Sequence, residues 1–320
     1  MLAPRMDAAG HEPVLMDEVL RTLALQSGES VVDCTAGRGG HAAQMAQRVG
    51  PDGHLILVDL DPENLHFATE RVAPTGLRIV GWQHSFSEVP RALRSFEPKP
   101  NALLADLGVA STHLDRPERG FSFREEGPLD MRLAAGESLS PTTRADPGDP
   151  ATAGDLVAVL PERELADLIK TWGEDPFARR IARAIVEARE VEPIRTTTAL
   201  AEIVRRAYGA RARDSRMHPA TRTFMALRIA VNDELGALER LLDALPRASD
   251  WLAPEARVAM ISFHSLEDRL IKRAFAGLVR SGRAVDLARG GLVASEEEAQ
   301  RNPRARSARL RVVQLTEPTS

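Results

Sequence analysis

A run of apolar residues leads into a glycine-rich stretch at Ser30-Val-Val-Asp33-Cys-Thr-Ala-Gly37-Arg-Gly39-Gly40-His41-Ala42, and the glycine spacing satisfies G-x-G-x-x-A between a strand and a helix. Turns of this kind bring a ligand onto free backbone N–H groups at a helix N-terminus, where dinucleotides set their pyrophosphate. Here the strand ends in Asp33, and a carboxylate beside the loop opposes an anionic phosphate. A cationic ligand removes the conflict: S-adenosylmethionine carries a sulfonium and an ammonium and no phosphate. Asp59, at the end of the apolar run His54-Leu-Ile-Leu-Val-Asp59, stands where doubly wound sheets bind ribose hydroxyls. An NAD-dependent oxidoreductase is the competing reading of the same loop, and a tight turn merely capped by Asp33 is the purely structural one.

A sulfonium-borne methyl group is already electrophilic, so a methyltransferase chiefly has to aim a nucleophile at it. For an exocyclic amine, an acceptor that orients the N–H groups assists. Asp106, ending Asn101-Ala-Leu-Leu-Ala-Asp106, is the candidate catalytic residue, with a role confined to cofactor binding as the alternative. The run Asp106-Leu-Gly-Val109 lacks the Asp/Asn-Pro-Pro-aromatic tetrad of many amine-directed methyltransferases. Cys34 is the only cysteine and lies within the loop, which argues against thiolate attack on a pyrimidine and excludes a disulfide framework or cysteine-rich zinc site. With eight histidines and no H-E-x-x-H pairing, no obligatory metal is expected. In Ser262-Phe-His-Ser-Leu-Glu-Asp268, His264 falls near the same sheet edge, and a helix is expected to follow with Ser265 as N-cap and Asp268 in its first turn, favourable to the dipole.

The elements that must hold these residues alternate. Strands are expected at 30–33, 54–59, 77–82 and 101–106, with helices at 41–48, 62–72 and 88–95 between them, the signature of a parallel sheet with helical crossovers. From His113 to Met217 no strand pattern appears. Helical periodicity covers Asp155 to Trp172 and Pro176 to Arg189, and Pro141 to Pro150 reads as a loop. One long helix carrying Phe224, Leu227, Val231, Leu235, Leu238 and Leu242 precedes a strand at 257–262, and Arg309 to Leu315 is expected to close the sheet as an edge strand. The expected fold is α/β, a doubly wound Rossmann-like sheet in two parts, 1–112 and 218–320, interrupted by an all-helical substrate-recognition insertion at 113–217.

The chain has 320 residues, 43% hydrophobic and 28% charged, which suits a folded protein rather than a disordered one. No apolar run approaches a membrane span and no signal-peptide pattern opens the chain, so a cytoplasmic, membrane-free protein is expected. Net charge is −4, yet Arg179 to Arg228 holds twelve arginines against five acids, and Arg301, Arg304, Arg306, Arg309 and Arg311 form a second basic cluster. Segregated arginine is the footprint of a nucleic-acid binder, or a bias in base composition, since lysine occurs only at 99, 170 and 272. A non-catalytic RNA-binding assembly protein is thus a third reading.

Five motifs resemble the bacterial small-subunit ribosomal RNA (cytosine-N4) methyltransferases that modify the decoding centre. They are His11-Glu-Pro-Val-Leu-Met-Asp-Glu18; Asp33 to His41; Asp106-Leu-Gly-Val-Ala-Ser-Thr-His-Leu-Asp115 with Arg119-Gly-Phe-Ser-Phe123 and Gly127-Pro-Leu-Asp-Met-Arg132; Ile261 to Asp268; and Asn302-Pro-Arg-Ala-Arg-Ser307. The resemblance implies S-adenosyl-L-methionine as cofactor, contacted by Gly39, Gly40, His41, Asp59, Phe86, Asp106 and His113, the last standing where the family usually carries glutamine. It implies 16S rRNA in the small ribosomal subunit as partner, with the target cytosine flipped toward the cofactor. Asp115, Arg119, Asp130 and Arg132 either close over substrate or form a salt-bridged turn. Oligomeric state, a homodimer included, is left open.

Overall fold

The structure, a computed structural model, describes residues 13–134, 152–212 and 217–316; His11, Glu12 and the Pro141–Pro150 loop lie outside the described residues. The chain divides into two units, residues 1–108 with 235–320, and residues 109–234.

Among the described residues, the first unit contains eight strands, β1 Ser30–Asp33, β2 His54–Asp59, β3 Arg78–Gln83, β4 Ala102–Asp106, β5 Arg257–Ser262, β6 Ala284–Asp286, β7 Leu292–Val293 and β8 Arg309–Leu315. They form one sheet in the order β3-β2-β1-β4-β5-β8-β6, with β7 also paired to β8. Strands β1 to β5 are parallel, whereas β8 runs antiparallel to β5, β6 and β7. The parallel strands are continuous apolar runs because both faces are covered. Val31, Leu55, Leu57, Leu104 and Ile261 share one core with Val19, Leu23, Met45 and Val72 of the helices Met16–Leu23, Gly40–Val49 and Pro62–Val72. Val32, Ile56, Val58, Leu103 and Met260 share the other with Leu238, Leu241, Trp251, Ile271 and Phe275.

Two expectations need correction here. Strand β8 is interior rather than at the edge, because the short β6, with exposed Val285, pairs along its outer side. A three-residue strand with one buried position carries no readable alternation, so β6 escapes a periodicity search. The long helix expected before β5 is two, Ala220–Asn232 and Glu234–Ala244, separated by Asp233 at φ +49°.

The second unit is helical: Ala153–Val159, Glu162–Gly173, Ala178–Val191, Thr197–Tyr208 and Ala220–Asn232 pack around Leu165, Ile169, Ile181, Leu200, Phe224 and Leu227. It extends to Glu234 rather than 217 because Phe224 and Leu227 belong to this core. A correction applies within it too: the helix expected from Asp155 to Trp172 breaks at Leu160, ahead of Pro161. Arg179, Arg180 and Arg183 face outward from the buried stripe of Ile181 and Ile185, as their spacing implies. Among the described residues, no helix is long and apolar enough to cross a membrane.

Two glycines of opposite character test this packing. A Cβ at Gly127 would collide with the Pro117 carbonyl, whereas one at Gly277, inside the helix Ser265–Arg280, meets nothing within 4 Å. Gly277→Ala should stabilise the protein by about 0.5–1 kcal/mol, and Gly127→Ala should destabilise it by about 2 kcal/mol or more, both read by urea unfolding. A neutral Gly127→Ala would show that this turn is not packed as described.

Candidate active site

The carboxyl ends of β1 to β5 lie along one edge, and the strand order changes direction between β1 and β4. Open sheets take their ligands at such a switch point. Asp33 and Asp106 end the two strands that flank it, and Asp59 ends β2 beside them. The glycine loop is strung across the same strands. Cys34 N–H donates to Leu104 O and Ala36 N–H to Val58 O, each at 2.8 Å. Thr35 Oγ1 accepts from Asp106 N–H at 2.7 Å, and Asp59 Oδ2 accepts from Gly37 N–H at 2.8 Å. Asp59 Oδ1 in turn accepts from Asp61 N–H at 2.8 Å. Backbone donors therefore fix both oxygens of Asp59.

Gly39 and Gly40 have a packing reason that sequence alone did not reveal. Gly39 has φ +71°, and a Cβ there would come within 2.9 Å of Ala68 Cα; a Cβ at Gly40 would run into the ring of Pro13. Both glycines let the helix Gly40–Val49 start against its neighbours, and no side chain caps that start. Its first backbone N–H groups are consequently available to an anionic group.

Burial dominates the electrostatics. Asp33 is 1% exposed, so it acts through its field rather than by contact. Burial, opposed by the Thr35 N–H bond and reinforced by the charge of Asp59, pushes its carboxyl up to about 7. Asp106 is raised well above the ordinary carboxylate range by burial and then by the charges of Asp33 and Glu267, and its Oδ1 is buried with no hydrogen-bond partner among the described residues. Burial and Asp33 likewise raise the Cys34 thiol, which stays protonated and is no nucleophile. Crowded, desolvated carboxylates with one unsatisfied oxygen suit a cationic ligand and repel a phosphate-bearing one.

The remaining expected residues are distributed as follows. His41 is buried, with Nε2 2.9 Å from Val14 O and Nδ1 3.6 Å from Asp106 Oδ2. Phe86, in the turn Phe86–Glu88 after β3, is half-buried against the second core. His113 belongs to the helical unit, where its ring lies 5.3 Å from Phe121. The expected helix cap is corrected: His264, not Ser265, is the N-cap, its Nδ1 accepting from Glu267 N–H at 3.4 Å, while Glu267 Oε2 accepts from the N–H groups of Phe263 and His264. Asp268 lies in the first turn of that helix, as expected, and also binds Arg311 of β8 through two hydrogen bonds. The His264/Glu267 spacing is the capping-box signal that could have located this partner. In the helical unit, Asp130 and Arg132 form a two-pronged ion pair at 2.7 and 2.8 Å, and Arg119 donates to the carbonyls of Arg132 and Leu133, which is turn packing.

Parallel strands in the order 3-2-1-4-5 with an antiparallel strand beyond, carrying an acidic switch point after a glycine loop, define a class: Rossmann-like methyltransferases that use S-adenosyl-L-methionine. The model of the MraW methylase family matches residues 8–316. Curated relatives include "Ribosomal RNA small subunit methyltransferase H" of Nitratidesulfovibrio vulgaris, 45% identical over 95% of this chain and 85% of that protein. The protein of the same name from Solidesulfovibrio magneticus is 44% identical, covering 95% of each chain. That from Anaeromyxobacter sp. is 43% identical over 95% of this chain and 97% of its own. This chain belongs to the MraW methylase family. S-adenosyl-L-methionine rather than NAD is therefore the cofactor.

Asp33 is near 3.8 in an unfolded chain and about 7 in the folded one, so the native state holds the extra proton and loses stability as pH rises through that window. Asp33→Asn should stabilise the ligand-free protein by an amount that grows from pH 4 to pH 8, reaching on the order of 2–4 kcal/mol. It should also weaken donor binding. Urea unfolding at both pH values checks this; a gain independent of pH would sink the assignment.

Proposed function

We propose that this enzyme transfers a methyl group from S-adenosyl-L-methionine to N4 of a cytosine in 16S rRNA, at the decoding centre of the small ribosomal subunit. The observation that carries the reading is the unpartnered, buried Asp106 Oδ1 at the switch point, an acceptor for the N–H of an exocyclic amine. Family membership and the printed names of the relatives support the RNA class, and the five motifs support the base and position.

When bound, the donor supplies a methyl group made electrophilic by its sulfonium. The open helix start at Gly39, Gly40 and His41 binds the donor's carboxylate through backbone N–H groups. Asp59, at the end of β2, accepts from the ribose hydroxyls, and Phe86 covers the adenine. Asp33 attracts the cation, and Asp106 orients the amine so that its lone pair faces the methyl group.

The helical unit serves substrate recognition. Arg179, Arg180 and Arg183 are exposed, with Arg180 over the Phe177 ring at 5.9 Å and Arg183 only loosely paired with Glu162 at 3.7 Å. They bind RNA phosphates.

Small subunits incubated with the protein and labelled donor should yield labelled N4-methylcytidine on nucleoside mass spectrometry. Label in another nucleoside would overturn the reading of the target atom. Replacing the three arginines by alanine should weaken RNA binding and flatten its salt dependence by about one unit of slope per lost phosphate contact. An unchanged slope would remove this face from the RNA interface.

A further inference from the structure

His41 occupies a position in the first unit that donor binding through the backbone does not use. Its Nε2 lies 2.9 Å from Val14 O. A carbonyl oxygen only accepts, so Nε2 carries a proton. Burial, opposed by the same bond, lowers the ring to about 4, so at neutral pH it is uncharged and Nδ1 is a bare lone pair. That lone pair faces Asp106 Oδ2 at 3.6 Å. Two bare acceptors turned toward each other in a buried site repel, whereas one proton between them removes the conflict. The charged groups around Asp106 are Asp33 on β1 and Glu267 on the helix Ser265–Arg280, both carboxylates that favour a protonated Asp106. Asp106 N–H is tied to Thr35 Oγ1, which holds the strand end in place while the carboxyl turns.

We propose that His41 is the positioning residue for Asp106: its Nδ1 lone pair holds the Asp106 proton on Oδ2, directs the bare Oδ1 to the substrate amine, and takes that proton when the amine is methylated. The inference rests on the amine-directed reading above. The balance is simple. As the N4–methyl bond forms and the sulfonium–methyl bond breaks, N4 carries one proton in excess. That proton passes to Asp106 Oδ1, the Oδ2 proton passes to His41 Nδ1, and the released product and an imidazolium remain. The ring later returns its proton to solvent. The 3.6 Å separation has to close by roughly 0.8 Å for transfer, a tightening typical of catalytic pairs that shorten only in the reacting complex.

His41→Gln keeps an amide N–H for Val14 O and removes the basic nitrogen. Donor affinity by calorimetry should change less than about threefold, while kcat falls by about tenfold or more. The deficit should shrink as pH rises, because a carboxylate already ionised needs no second acceptor. An unchanged kcat, a deficit constant with pH, or donor binding lost in parallel would overturn the proposal. A second readout needs no turnover: nitrogen NMR of histidine-labelled, ligand-free protein should show His41 neutral with its proton on Nε2 from pH 6 to 8. An imidazolium at pH 7, or a proton on Nδ1, would also overturn it. The spectrum reads the pair whatever the substrate proves to be, so failure of the cytosine assignment leaves this result standing.

Discussion

Carboxylates brought together at a desolvated sheet edge are the constraint from which the rest of this protein follows. Asp33 and Asp106 end adjacent strands, and burial raises the energy of both charged forms, with Asp33 adding to the load on Asp106 and Asp59 to that on Asp33. A fold does not keep such an arrangement for its own stability, because the protonated acids cost free energy at neutral pH. It is rational when a cation completes the site. The same crowding discriminates between coenzymes that share the adenosine half, since a pyrophosphate would meet these acids and a sulfonium is attracted by them.

Holding like charges in place requires a rigid frame, and the frame is visible in the hydrogen bonds. Loop residues 34 to 37 are bonded to β4 and β2 on either side, so neither the loop nor the strand ends can spread to relieve the repulsion. Sheet faces buried under two separate cores supply the stiffness behind them. The Asp268–Arg311 pair ties the helix after β5 to β8, and Glu298, accepting from Leu15 N–H at 2.7 Å, ties the N-terminal helix to the C-terminal segment.

The basic clusters that look alike in sequence differ in structure. Arg311 is bound to Asp268, Arg301 to Glu297, and Arg306 and Arg309 donate to the carbonyls of Ala299 and Gly290. These side chains brace the C-terminal segment. Arg205 and Arg206 likewise share Glu202. Arg179, Arg180 and Arg183 stay on the outer face of their helix, which is why that face, and not the tail, is the phosphate-binding candidate. Charge counting cannot separate these cases, because it does not register which arginines are paired, whether with a near neighbour such as Glu202 or Glu297 or with a distant residue such as Asp268.

Local pattern was sufficient for much of this protein. Apolar runs ending in Asp33, Asp59 and Asp106 placed three carboxylates at strand ends, the proline at the start of the helix Pro62–Val72 marked its boundary, and the four-residue repeat of Phe177, Ile181 and Ile185 separated a buried face from an arginine face. Each signal depends only on neighbours along the chain, and the period of burial is written into it. Tertiary structure alone decided that β8 is interior, that Pro13 and Ala68 demand glycine at 40 and 39, and that His41 faces Asp106. Those outcomes depend on which distant groups come into contact once water is expelled, and contact between distant groups leaves no period in a single sequence.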